Sequence, residues 1–377
     1  MKYMGSKRAM LRNGLGKLLE REATSASRFV DLFTGSAAVA NHVAQKIAIP
    51  VLACDLQSYS VVLANAIVQR QTQLNWGKIW LAWRARAKAR VGLARKIPRL
   101  PRVITRSAVL DCRQWCSQSD LPITGAYGGH YFSPRQAVWI DALRSTLPSG
   151  KAARNVALAA LIQATSQCAA APGHTAQPFQ PTQTAKKFLR EAWNRDIVGR
   201  TRDAFRALST IVALKKGVAT RSDANDFAKR LKKGDLVFVD PPYSGVHYSR
   251  FYHVLESVVR GRCGTVSGVG RYPPEEQRPR SRYSLQAESH VALDDLLKTI
   301  AARGSKAILT FPNHRCSNGL SGYIVRKIAA RHFKVEKRTI GSRFSTLGGT
   351  SDDRGDEAGR AARQYARELV LTLTPRR

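Results

Sequence analysis

The chain has 377 residues, 44% of them hydrophobic and 23% charged, which excludes global disorder. No apolar run approaches the ~18 residues that a membrane-spanning helix needs. With 62 Lys and Arg against 26 Asp and Glu, the formal net charge of +36 points to a polyanionic partner. Nucleic acid is the first candidate. An anionic membrane surface is the rival, and no clear amphipathic anchor or lipidation motif supports it.

Residues 28–34 predict a buried strand that ends in a turn at Gly35 and Ser36. Residues 37–46 predict a helix, 50–55 a second short strand ending in an acid, and 58–70 a second helix. This alternation predicts a parallel α/β sheet. The character changes after Arg70. From Trp76 to Leu110 there are ten Lys or Arg and no acid. Trp76, Trp80 and Trp83 share one helical face there, which predicts a core stripe, with the cations facing solvent or phosphate. Ser133-Pro134 predicts a capped helix to about Leu147, followed by helices over about 152–168 and 184–214. The loop holding Gly173-His174 and Gln177–Gln180 carries side chains able to reach base edges, although an ordinary interhelical loop is the favoured reading. Strands are predicted again at 218–223, 234–240 and 306–311, and 332–337 with 368–374 reads as a closing antiparallel pair. Residues 341–367, rich in Gly, Ser and mixed charge, read as a long mobile loop.

The six cysteines (Cys54, Cys112, Cys116, Cys168, Cys263 and Cys316) are scattered and read as reduced cytosolic thiols. Cys112, Cys116 and His130 lack a second ligand pair, so no metal is expected. The opening residues lack the apolar stretch of a signal peptide, and a cytoplasmic protein of a prokaryotic cell or phage is expected.

Three motifs carry chemistry. Asp240-Pro241-Pro242-Tyr243 ends a predicted strand, where an α/β sheet places its ligands. The two prolines fix the backbone, so a carboxylate and a carbonyl are aimed beside an aromatic ring. Two acceptors and a flat platform suit an aromatic amine. Asp31-Leu-Phe33-Thr-Gly35-Ser-Ala37 places a glycine at a helix start, with Asp55 twenty residues beyond Gly35 at the next strand end. An acid at that spacing can hold ribose hydroxyls. The third motif is Tyr3-Met-Gly-Ser-Lys7.

In this order, with a long insert before the last motif, the chain resembles the Dam-like (alpha-group) DNA adenine-N6 methyltransferases. The resemblance covers about residues 1–70 and 218–377, and it reaches the insert only by position and charge. It implies a Rossmann-like, mostly parallel methyltransferase sheet with an antiparallel closing hairpin. Residues 1–70 and 215–377 would form the catalytic domain, and 71–214 a basic, mainly helical, inserted DNA-recognition region. It implies S-adenosylmethionine as cofactor and a flipped adenine in double-stranded DNA as acceptor. The setting would be restriction-modification with a cognate endonuclease as partner, or DNA marking. By the same resemblance Asp240, Pro241, Pro242 and Tyr243 form the catalytic set. Tyr3, Lys7, Asp31, Phe33, Gly35, Asp55, Asp223 and Asp240 border the cofactor, with Asp55 on the ribose and Asp223 toward the donor's adenine. The chain departs from the family at Ala37, where a glycine is frequent, and the extra methyl is expected to narrow the cofactor approach. An RNA adenine methyltransferase, or a non-catalytic nucleic-acid-binding module of the same fold, would share these features.

Overall fold

A computed structural model describes residues 5–100, 102–343 and 365–376. They form two compact units. Of the described residues, one comprises 72–100 and 102–211 with 249–278, and the other 5–71, 212–248, 279–343 and 365–376.

The second unit is built on a seven-stranded sheet in the order β3-β2-β1-β4-β5-β7-β6. The strands are β1 (Arg28–Asp31), β2 (Val51–Asp55), β3 (Val218–Arg221), β4 (Asp235–Val239), β5 (Lys306–Pro312), β6 (Phe333–Arg343) and β7 (Tyr365–Pro375). β1 to β5 run parallel, and β7 lies antiparallel between β5 and β6. This is the Rossmann-like methyltransferase sheet anticipated above. Its parallel strands are continuous apolar runs because both faces are covered. All five residues of β4 are buried. On one face Val237, Val239, Leu309 and Phe311 meet Leu293, Leu296, Leu297 and Ile300 of the Ser289–Ala302 helix. Register is pinned at the strand starts, where Arg28 grips Asp235 with two hydrogen bonds of 2.7 and 2.6 Å across paired positions.

Two elements depart from expectation. β3 stops at Arg221, because the Asp223 side chain accepts the Asn225 N–H (2.8 Å) and caps the short Ala224–Ala228 helix. The closing hairpin is longer than predicted, with β6 starting directly at the end of the Gly322–His332 helix. Residues 344–364 of the predicted mobile loop lie outside the described residues.

The first unit is mainly helical. Its Trp76–Gly92 helix buries Trp80 and Trp83, whose rings meet edge to face at 5.5 Å, and Trp83 meets Phe205 at 5.6 Å. The Trp83 indole donates to the Leu143 carbonyl (3.0 Å), so Trp80 and Trp83 of the predicted stripe are core, whereas Trp76 is only half-buried, with the Arg206 guanidinium 5.5 Å from its ring. Ser133 and Gln136 form a capping box at the start of the Pro134–Ser145 helix. The single helix expected over 184–214 is two, Lys186–Trp193 and Ile197–Thr210. Asp196 starts the second by accepting the Val198 N–H (3.0 Å). Burial pushes the Cys112 and Cys116 thiols up to about 11 and about 12, keeping both protonated.

Candidate active site at the strand tips

Parallel strands present their carboxyl ends on one edge of the sheet. Here Asp31 ends β1, Asp55 ends β2, Asp223 follows β3 and Asp240 follows β4. The strand order reverses between β1 and β4, so these four acids surround the sheet's switch point, where the loops diverge and leave a crevice.

The turn after β1 is tied to β2. Thr34 bonds the Cys54 carbonyl with both its N–H (3.1 Å) and its hydroxyl (2.9 Å). The Gly35 N–H donates to Asp55 Oδ2 (2.8 Å) and the Gln57 N–H to Asp55 Oδ1 (2.9 Å). Gly35 and Ala37 both lie in the left-handed region (φ 49° and 59°). A glycine would adopt that conformation at position 37 without strain. The Ala37 methyl is fully buried, so the cost of the departure is backbone conformation and not the width of the crevice. Asp31 is buried, accepts the Phe33 N–H (3.3 Å), and burial with the nearby Asp240 and Asp55 pushes its carboxyl up to about 8. The half-buried Phe33 ring meets Tyr283 edge-on at 5.0 Å, and the Tyr283 hydroxyl donates to Asn225 (2.7 Å) beside Asp223.

At the tip of β4, Asp240 Oδ1 receives the Thr310 hydroxyl (2.7 Å) and the Lys7 ammonium (3.0 Å). Among the described residues nothing donates to Asp240 Oδ2 or to the Pro241 carbonyl. Burial raises the Asp240 carboxyl above its ordinary range, and Lys7 opposes that shift. Lys7 is itself buried. Although burial works against its charge, the Asp240 and Glu368 carboxylates hold its ammonium above the ordinary lysine value. The Pro242 carbonyl is clamped by the Asn318 amide (2.9 Å), which also donates to the Tyr283 carbonyl (2.9 Å). Tyr243 packs against Gly5, where a Cβ would lie 2.6 Å from its hydroxyl, and Gly5 has φ +71°. The glycine of the N-terminal motif is thus required on both counts.

Lys7, Asp31, Phe33, Gly35, Asp55, Asp223 and the Asp240–Tyr243 segment all belong to this unit and line its strand-tip edge. Tyr3 lies outside the described residues. Sequence reading missed Thr310, Asn318 and Glu368. Thr310 and Glu368 carried one signal, a polar residue inside or at the start of an apolar strand run. Asn318 carried none. Of the loop singled out in the first unit, His174 packs on Phe251 at 5.0 Å and the Gln180 amide bonds Arg113 (3.1 Å) and the Pro178 carbonyl (3.3 Å), while Gln177 is exposed. His247 accepts the Ser281 N–H (3.3 Å), and the residues after it start the Tyr248–Arg260 helix.

Residues 3–83 match the family described as D12 class N6 adenine-specific DNA methyltransferase. Over 323 residues the chain is 24% identical to the modification methylase StsI of Streptococcus sanguinis, an alignment covering 83% of this chain and 44% of that protein. The chain therefore spans less than half the length of this relative. Over residues 3–83, which hold the N-terminal motif and the turn after β1, the chain is similar to the D12 class N6 adenine-specific DNA methyltransferases, in line with the resemblance that its motifs carry.

Proposed function

We propose that the chain methylates the exocyclic amine of a flipped adenine at specific sites in double-stranded DNA, as the modification arm of a restriction-modification system. The observation that carries this reading is a pair of acceptors, Asp240 Oδ2 and the Pro241 carbonyl, that no donor meets among the described residues, beside the Tyr243 ring at the switch point.

The crevice suits S-adenosylmethionine as donor: Asp55 stands at the tip of β2 as an acid for the ribose, Asp31 is an acid for a cationic amino-acid end, Phe33 an apolar wall, and Asp223 lies toward the base. When bound, this donor supplies an electrophilic methyl group. The adenine amine is a weak nucleophile because its lone pair is delocalised into the ring. Asp240 Oδ2 and the Pro241 carbonyl would each accept one N–H, which draws the nitrogen toward a pyramidal, nucleophilic geometry. Thr310 and Lys7 hold the carboxylate still, and Asn318 holds the adjoining carbonyl segment, so the acceptors are preorganised. Tyr243 offers the extruded base a stacking face. No covalent enzyme intermediate is required.

The other unit supplies a surface for the phosphate backbone. On the Trp76–Gly92 helix, Arg84, Arg86, Lys88 and Arg90 are exposed, and none pairs with a carboxylate among the described residues. Such cations release counterions from DNA on binding. The test is incubation with labelled donor and mixed-sequence duplex, with structured RNA in a parallel arm, followed by hydrolysis and mass analysis of nucleosides. N6-methyladenine from the duplex is expected. Label in RNA alone, or no label, overturns the reading.

A further inference from the structure

We propose that Glu368 is a positioning residue for the adenine site: it holds the Lys7 ammonium to one oxygen of Asp240 and shares its charge, leaving Asp240 Oδ2 a strong acceptor. This rests on the reading of Asp240 given above.

The geometry is specific. Glu368 stands on β7 directly opposite Pro312 of β5, and Thr310 is two residues away on the same face. Lys7 Nζ lies 2.8 Å from Glu368 Oε2 and 3.0 Å from Asp240 Oδ1. The side chains of Lys7 and Glu368 are 4% and 5% exposed. A carboxylate buried this deeply in a strand is costly unless a cation meets it, and an apolar residue would fill the position at lower cost. Its presence therefore calls for a role beyond packing.

Charge counting supplies one. Lys7 contributes +1 and Asp240 and Glu368 contribute −1 each, so the cluster sums to −1, and no second cation pairs with either acid among the described residues. With Glu368 absent, Lys7 would neutralise Asp240 outright. The acceptor would weaken at the moment positive charge develops on the amine nitrogen. With Glu368 present, the surplus negative charge sits beside that nitrogen, and the hydrogen bond to Lys7 fixes which Asp240 oxygen is occupied.

The groups facing Asp240 are Lys7 from the N-terminal segment, Thr310 from β5, Glu368 from β7, Asp31 from β1 and Tyr243 from its own loop. Among them, Glu368 is a neighbouring carboxylate that adds to burial in raising the Asp240 carboxyl. Removing its charge shifts the ionisation of Asp240 to lower pH.

The experiment compares Glu368→Gln and Glu368→Asp in the full chain with duplex DNA. Glu368→Gln keeps shape and the hydrogen bond while deleting the charge. We expect kcat to fall at least tenfold, KM for DNA and calorimetric donor affinity to stay within twofold, and the acid limb of kcat/KM to move to lower pH. Glu368→Asp recovers most of kcat and leaves the limb in place. Wild-type turnover with an unmoved limb in Glu368→Gln overturns the proposal, as does equal impairment of both variants with donor binding intact. Should Glu368→Gln fail to fold, the double variant Lys7→Met/Glu368→Gln removes both charges together. Turnover no lower than that of Lys7→Met alone then supports action through Lys7, and a further loss beyond Lys7→Met overturns it. If instead the wild type makes no N6-methyladenine, or Asp240→Asn turns over normally, the reading of the site has failed and not the role of Glu368.

Discussion

Two basic regions of this chain use the same kind of side chain in opposite ways. In the sheet unit, Lys7 is buried between two carboxylates and held within 3.0 Å of each. In the helical unit, Arg84, Arg86, Lys88 and Arg90 are exposed on one helix, and none pairs with a carboxylate among the described residues. A cation fixed by partners cannot leave to meet a ligand, so its work is to orient and tune the groups it touches. A cation with no carboxylate partner has its charge available to a polyanion, even where, as at Arg86, one N–H bonds a carbonyl. The net charge of +36 reports the second kind and says nothing about the first.

Breaking the buried cluster should have the largest effect. Asp240→Ala removes one of the two amine acceptors and strips Lys7 of a partner. Loss of a preorganised transition-state hydrogen bond predicts a fall in kcat of roughly a hundredfold or more. Single-turnover methylation of a duplex measures it, with donor binding by calorimetry as the control. Near-normal turnover would separate the Asp240 tip from the chemistry.

The exposed cations should respond differently. Replacing Arg84 and Lys88 together by Ala is expected to weaken duplex binding roughly tenfold at moderate salt and to reduce the slope of log affinity against log salt by about two. Chemistry on DNA at saturating concentration should be unchanged. An unaltered salt slope would remove this helix from the DNA-binding surface and end the contrast between the two regions.

Both regions were only partly legible in the sequence. The acids at 31, 55 and 240 were visible because parallel strands are buried on both faces, so each is a short apolar run whose end is marked by its first charge. The Trp stripe was visible because three large apolar side chains repeat at helical spacing. The ion pair of Lys7 with Glu368 was not, because 361 residues separate the partners and only the placement of β7 between β5 and β6 brings them together. Asn318 was hidden for the same reason: its bonds to Pro242 and Tyr283 depend on two loops meeting. The packing of residues 249–278 with the helical unit likewise has no local signature. The break at Asp196 was legible in principle, since an N-cap acid precedes the second helix.

Asp31 sharpens the comparison through pH. Its carboxyl is raised to about 8 in the folded protein by burial and two neighbouring acids, against an ordinary value near 3.8. Between those values the folded state holds a proton that the unfolded chain has released. Stability therefore falls as pH rises from about 4 to about 8, with a slope of at most one proton, and levels off above. Asp31→Asn should flatten that slope and be relatively more stable than wild type at pH 8 than at pH 5. Thermal unfolding across this range, with no donor present, reads it directly. An unchanged slope would mean that Asp31 stays ionised at neutral pH.

The smallest expected effect lies in the turn that links β1 to the next helix. Ala37 adopts φ 59° and ψ 20° at the start of the Ala38–Lys46 helix, a conformation that costs an alanine about 1–2 kcal/mol. Ala37→Gly relieves that strain. It also gives the unfolded chain more freedom, which costs about 0.4–1 kcal/mol. The two partly cancel, so the change in unfolding free energy should be a stabilisation between about zero and about 1.6 kcal/mol. The methyl is fully buried, so donor affinity should hold within a factor of two. Denaturant unfolding and calorimetry on the same variant separate the two terms. A large gain in donor affinity with no gain in stability would mean that the methyl obstructs the crevice after all, and that the departure at position 37 acts on the site instead of on the backbone.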